Sequence, residues 1–217
     1  MTAQAQGALE ATSAMCGFCF DVLDAELAQR EGAEGSPSRG ALPVCLQAYV
    51  SKGYSFPMFI TWKIRKGRHE HLRGCIGTLS PAPAERMGHY ALQAALSDSR
   101  FKPVYRDELP SLSCKISILH SYEKCEHPFD WTVGVHGVLI EFSDPQTGQQ
   151  RTATYLPEVA LEHGMTKEVA LTQLVEKAGY RGRVTDSLIK SLKVTRYRSS
   201  AASMTHAEWL GAVPLGG

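Results

Sequence analysis

The segment FPMFITWKIRKGRHEHLRGCIGTL, Phe56 to Leu79, decides the fold class. In its first half Met58, Ile60, Trp62 and Ile64 alternate with Phe59, Thr61 and Lys63. A period of two belongs to a strand with one buried face. The polar run RKGRHE turns the chain and HLRGCIGTL resumes as a second strand, so the pair reads as a hairpin. CKISILH (Cys114 to His120) alternates likewise. VGVHGVLIEF (Val133 to Phe142), the turn SDPQTGQQ and RTATYL read as a second hairpin, and LKVTRYR as a last strand.

Between the strands the period changes to three and four. Cys16, Cys19, Phe20, Leu23 and Leu27 mark a helix from about residue 13, with Ser13 as its N-cap. Leu42 to Val50 reads as a short helix. Pro81 and Pro83 open another, running to about Ser97, with Met87, Ala91, Ala94 and Ala95 on its apolar side. Pro157 starts PEVALEH, which Gly164 ends; Thr166 caps TKEVALTQLVEKA, which Gly179 closes. TDSLIKS is a short helix and SMTHAEWLGAV a final amphipathic turn. Residues 1–12 read as a flexible tail and Glu31 to Gly40 as a flexible loop. Hairpins and helices without βαβ alternation predict α+β: antiparallel hairpin sheets flanked by helices, with residues 13–217 as one domain.

Composition excludes several classes. Lys+Arg 23 against Asp+Glu 22 leaves a net charge of +1 over 217 residues, which argues against a general polyanion binder. The hairpin KIRKGRHEHLR concentrates basic residues, but such turns are commonly solvated and discourage edge pairing. Nucleic-acid binding is therefore not expected. No apolar run approaches the ~20 residues that span a bilayer, so no membrane segment is expected. The opening residues lack a basic stretch followed by an apolar one, and the six cysteines (16, 19, 45, 75, 114 and 125) are scattered. The expectation is reduced thiols in a cytoplasmic or nuclear protein. No Walker A loop, dinucleotide fingerprint or HExxH is present, so kinase, dehydrogenase and zincin classes drop out.

Chemistry concentrates in LRGCIG, Leu72 to Gly77. Strict alternation puts Leu72, Gly74 and Ile76 on one face, Arg73 and Cys75 on the other. Arg73 beside Cys75 would favour the thiolate, and Gly74 and Gly77 permit close backbone approach to an anion. The alternative is a Cys75 that fills a core gap, with glycines that only bend the strand. A nucleophilic thiol wants a base. His136, between Gly134 and Gly137 in the expected strand, is the best candidate, with a core histidine as the alternative. Arg100, in SDSRF, reads either as a clamp for a carboxylate or phosphate or as a lock on Asp98. Asp107 and Glu108 read as caps of the turn before Pro110. Tyr155 ends a strand and Glu158 opens a helix, where the dipole favours a carboxylate that contacts a ligand or stabilises the helix start. Cys16-Gly-Phe-Cys19 lacks the second ligand pair of a structural zinc site, so the pair is assigned to helix packing and no metal site is expected.

LRGCIG resembles the signature of the AMMECR-domain family. MCGFCFDVL, FITWKI, SDSRF, RDELP, WTVGVHGVLIEF, RTATYLPEVA and VTRYRS are similar to its eukaryotic branch, in the same order, from about Ser13 to Ser200. The resemblance implies an α+β fold with two lobes beside a cleft, no established activity and no named cofactor. Association of the prokaryotic genes with a Memo-type protein and a radical-SAM enzyme implies a shared pathway and a Memo-type protein partner. Two functions follow as expectations. One is an enzyme that uses Cys75 on a small anionic or modified metabolite held near Arg73 and Arg100. The other is a non-catalytic module that receives a protein or peptide on the LRGCIG surface.

Overall fold

The computed structural model describes residues 10–32 and 42–212. In chain order the elements are α1 (Ser13–Arg30), α2 (Val44–Ser51), β1 (Ser55–Lys66), β2 (His69–Pro83), α3 (Met87–Leu96), β3 (Leu112–Lys124), β4 (Gly137–Ser143), β5 (Gln150–Tyr155), α4 (Pro157–Glu162), α5 (Lys167–Lys177), α6 (Asp186–Ser191), β6 (Lys193–Thr205) and α7 (His206–Ala212). Every pairing named below is antiparallel, so the chain is α+β, as the alternating segments predict. Two compact units are present, residues 1–119 with 200–217, and residues 120–199. Among the described residues no helix is long and apolar enough to cross a membrane.

In the first unit the strand order is β2-β1-β3, with β2 at the edge. Met58, Ile60 and Trp62 of β1 and Cys114, Ile116 and Ile118 of β3 form one face, packed in a single core with Phe20 and Leu23 of α1 and Ala91 and Ala94 of α3. Burial of each large side chain contributes about 1.5–3 kcal/mol. Trp62 is tied further: its Nε1 donates to the Ala91 carbonyl at 3.0 Å, and Phe20 meets its ring edge-on at 5.0 Å. The small residues of α3 let that helix lie directly on β2. A Cβ on Gly74 would stand 1.9 Å from the Ala94 carbonyl oxygen.

Three local expectations are corrected here. Pro81 and Pro83 do not open a helix: the ladder continues through Ala82 and Pro83 opposite Phe56 and Ser55. An edge strand tolerates a proline that offers no N–H. A 3-10 turn, Ala84–Arg86, then leads into α3. At α1 the N-cap is Thr12, not Ser13, and Ala11 just before it donates its N–H to Ser200 Oγ at 3.0 Å. The rest of the expected tail, residues 1–9, and most of the expected loop, residues 33–40, lie outside the described residues. Leu72 does not share a face with Gly74. The register passes from Trp62↔Gly74 to Lys63↔Leu72, which leaves Arg73 as an extra residue. Such a bulge resets the alternation, so Leu72 joins Thr61, Lys63 and Cys75 on the outer face.

In the second unit the order is β6-β4-β5. Val138, Ile140 and Phe142 of β4 pack with Leu171, Leu174 and Val175 of α5 and Leu188 of α6. Thr166 and Thr185 cap α5 and α6 through their side chains. β4 begins at Gly137, four residues later than expected. The preceding residues turn instead, with Gly134 at φ +79° and His136 N–H donating to the Thr132 carbonyl at 3.0 Å. His136 therefore stands in a turn, not in a strand.

Candidate functional site

Cys75 sits on the edge strand β2, paired with Thr61. Its outward backbone groups have no strand to bond, and a loop supplies the partners instead. Cys75 N–H donates to Asp98 Oδ2 at 2.9 Å, and Arg100 Nη2 donates to the Cys75 carbonyl at 3.1 Å. Asp98 and Arg100 are themselves joined: Nε to Oδ1 at 2.9 Å and Nη2 to Oδ2 at 2.6 Å. The buried carboxylate also accepts the Arg100 backbone N–H at 3.2 Å. These donors, the Arg100 guanidinium first, hold the Asp98 carboxyl down at about 2 against its ordinary 3.8. SDSRF thus acts as a surrogate strand for LRGCIG, covering an edge that would otherwise be open.

Arg73 forms the second tether. Its Nε and Nη2 grip both carboxylate oxygens of Glu108 at 2.8 Å. Nη1 donates to the Lys102 carbonyl at 2.7 Å and Nη2 to the Pro103 carbonyl at 3.0 Å. The pair is largely buried, with Arg73's side chain 11% exposed. Arg73 holds the Glu108 carboxyl below its usual range, and Glu108 Oε2 also accepts the Tyr105 N–H. RDELP therefore tethers the strand as well as forming its own turn. A guanidinium with four of its five N–H groups engaged in this way positions β2. Gly74 meets α3, and Gly77 lies under Phe59, whose Cγ would stand 2.6 Å from an added Cβ. Both glycines are required by close packing.

The two tethers leave the side chain of Cys75 on the outer face, half-buried. Thr61 Oγ1 donates to its Sγ at 3.2 Å. Arg100 remains 54% exposed, and none of its hydrogen bonds to the described residues uses Nη1. Its outward donors therefore stand beside the thiol's backbone. Thr61 also pairs across to Lys115 on β3. One row of the outer face thus carries a thiol, a hydroxyl and an ammonium group. Sequence reasoning did not single out Thr61 or Lys115. The outward positions of FITWKI and CKISILH carried the signal, which needed the register to be read.

The other expected site residues belong to the second unit. His136 Nδ1 accepts the Thr132 N–H at 3.0 Å. Burial, with Arg196 and Arg198 nearby, pushes its pKa below the usual 6.5. A neutral, acceptor imidazole fits that bond. Tyr155 donates to Gln173 Oε1 at 3.3 Å, and Lys177 Nζ stands 4.8 Å from its ring centroid. Tyr155 lines a cavity of about 530 Å³ with Val159, His163, Met165 and Gln173. Glu158 stands half-buried in the first turn of α4.

Cys16 and Cys19 lie in the first unit's core, fully buried with Cys114. Burial and contact with those two thiols push the Cys114 pKa well up. The helix-packing reading of CGFC therefore gains a third member. Among the described residues no group of three or more His, Cys, Asp or Glu is placed to hold a metal ion.

A model of the AMMECR1 family matches residues 16–202. The chain is 41% identical over 210 residues to an uncharacterized protein of Arabidopsis thaliana, covering 94% of this chain and 90% of that protein. It is 36% identical over 203 residues to an uncharacterized protein of Schizosaccharomyces pombe, covering 92% and 96%. In fold it resembles the crystal structure of an uncharacterized protein from Pyrococcus horikoshii, with a TM-score of 0.67 and 22% identity, covering 89% of this chain and 93% of that one.

Proposed function

Because the chain belongs to the AMMECR1 family, in which these relatives carry no stated activity, we propose that it is an enzyme using Cys75 as nucleophile on a small anionic metabolite. The hydrogen bond from Thr61 to the Cys75 sulfur carries this reading. The thiol receives a hydroxyl hydrogen bond while remaining partly open to solvent, on a strand fixed by two ion pairs. The outward Nη1 of Arg100 offers donors for an anionic group, while Arg73 and Gly74 act through the strand they position. Such a thiol attacks an electrophilic carbon. The sulfur–carbon bond forms as the leaving group departs with its bonding pair and takes up the thiol proton.

A second reading, a peptide-binding face without chemistry, draws on Leu72. The bulge at Arg73 turns it to the outer face, where it is 41% exposed. Cys75→Ser separates the two readings. Wild type and variant are incubated with a fractionated metabolite extract and with a peptide library. Consumption of a metabolite by wild type alone supports the enzyme. Equal peptide capture by both proteins, with no metabolite consumed, supports the binding face.

A further inference from the structure

In the second unit, α4 and α5 meet at a corner beside the cavity of about 530 Å³ that Tyr155 lines. Gly164 turns the chain there at φ +59°, and Met165 N–H donates to the Ala160 carbonyl at 2.8 Å. Each helix offers the cavity one row of side chains: Val159 and His163 at the end of α4, Val169 and Gln173 along α5. Residues four apart share a helix face, so each row sets a valine one turn from a polar group. Tyr155 forms a further wall. Burial, with Glu176 nearby, pushes its hydroxyl pKa up from 10. The phenol therefore stays protonated and donates to Gln173 Oε1 at 3.3 Å. That bond orients the Gln173 carboxamide, whose NH₂ group has no partner among the described residues. The phenol oxygen keeps its lone pairs for a donor. No Asp, Glu, Lys or Arg stands among the described residues that line the cavity. Lys177, 4.8 Å from the centroid of the Tyr155 ring, donates to the Thr154 carbonyl at 2.8 Å.

We propose that this cavity binds a small neutral molecule, an aromatic ring that carries a carboxamide. The ring lies against Val159, Val169 and Tyr155, its carbonyl accepts from the Gln173 NH₂ group, and its N–H donates to the Tyr155 oxygen. The volume falls in the range of small-molecule sites, roughly 300–1,000 Å³, whose usual lining is apolar with a few fixed polar groups. A donor and an acceptor held side by side match the C=O and N–H of one amide, and the Tyr155 ring favours an aromatic partner over an aliphatic one. Charge decides the rest of the class. A carboxylate would lose its water with no Lys or Arg in the lining to receive it, and with Glu176 acting on Tyr155. An ammonium group would likewise meet no carboxylate in the lining. The inference does not draw on the reading of Cys75, and its failure would leave that reading untouched.

The test is a titration of the full chain with benzamide, followed through its backbone amide resonances by NMR. Resonances of residues 163–173, which contain most of the lining, are expected to shift and to saturate. Benzoate and benzylamine, the anionic and cationic counterparts of the probe, bind at least about tenfold more weakly. Gln173→Leu keeps a side chain of similar size, removes the NH₂ donor and weakens benzamide about fivefold, the equivalent of one hydrogen bond. Val169 is 43% exposed at the cavity's mouth, so Val169→Trp fills the space without entering the core. It abolishes binding while the melting temperature stays that of wild type. A benzamide titration that moves none of these resonances overturns the proposal. So does benzoate or benzylamine bound as tightly as benzamide, or a Gln173→Leu protein that binds benzamide like wild type. Undiminished binding by a folded Val169→Trp protein would put the ligand elsewhere and overturn it too.

Discussion

Asp98→Asn tests the tethering of the Cys75 strand. The carboxylate accepts the Cys75 N–H, the Arg100 N–H and two guanidinium bonds, with only 4% of its side chain exposed. Asparagine keeps one acceptor and turns an NH₂ group toward Arg100 or toward the Cys75 N–H. Breaking a buried pair costs about 3–5 kcal/mol, and the exposure of Arg100, which returns readily to water, places this case at the lower end, about 3 kcal/mol. Linkage gives an independent value for the ionic part. The carboxyl falls from 3.8 to about 2 on folding, and each pH unit corresponds to about 1.4 kcal/mol, hence roughly 2 kcal/mol. A depressed folded pKa contributes stability that is present above 3.8 and is lost as pH falls through 2. Urea unfolding of both proteins should therefore show a gap of about 3 kcal/mol from pH 5 to 8. By pH 3 the gap narrows by about 1 kcal/mol. A gap under about 0.5 kcal/mol at pH 7, or one that stays constant down to pH 3, would refute the tether.

Gly74→Ala places a methyl group 1.9 Å from a backbone oxygen of α3, so the helix must retreat by more than about 1 Å. Overpacking of this severity costs about 3 kcal/mol, read as a fall in melting temperature of about 6–12 °C; a fall under 2 °C would contradict the packing. In the second unit, Gly137→Ala would put Cβ 2.3 Å from the Tyr197 ring. The ring must then leave Thr154 and the Tyr155 carbonyl, its partners at 2.7 and 3.0 Å. Hydrogen exchange at β5 should accelerate by at least about tenfold, the equivalent of one lost hydrogen bond; unchanged protection would count against it. His136, neutral and accepting from Thr132, should titrate below 6.5 by NMR. A titration above 6.5 would mean that Arg196 and Arg198 do not face it.

The hairpins were legible because alternation in FITWKI and VLIEF reports burial directly, and α+β follows from those segments. Arg73 shows where alternation misleads. A bulge adds one residue without changing the local pattern, so the faces of Leu72 and Gly74 become visible only in the register. His136 was misplaced for a related reason: VGVHG alternates, but Gly134 at positive φ turns the chain. At the site, the pairing of Arg100 with Asp98 could be weighed from their spacing. That both would close around the Cys75 backbone depends on contacts 23 to 25 residues apart. Thr61 and Lys115 were hidden in plain alternation. Their meaning lies in which strands neighbour β1, and no local pattern encodes that order.

The central claim, that Cys75 is a chemically poised thiol, is tested most directly by its alkylation with iodoacetamide at pH 7, followed on the Cys75 peptide by mass spectrometry. The predicted rate exceeds that of the same cysteine in the urea-unfolded chain, and Thr61→Val lowers it. The buried Cys16, Cys19 and Cys114 stay unmodified over the same time. A Cys75 that reacts no faster folded than unfolded would contradict the claim.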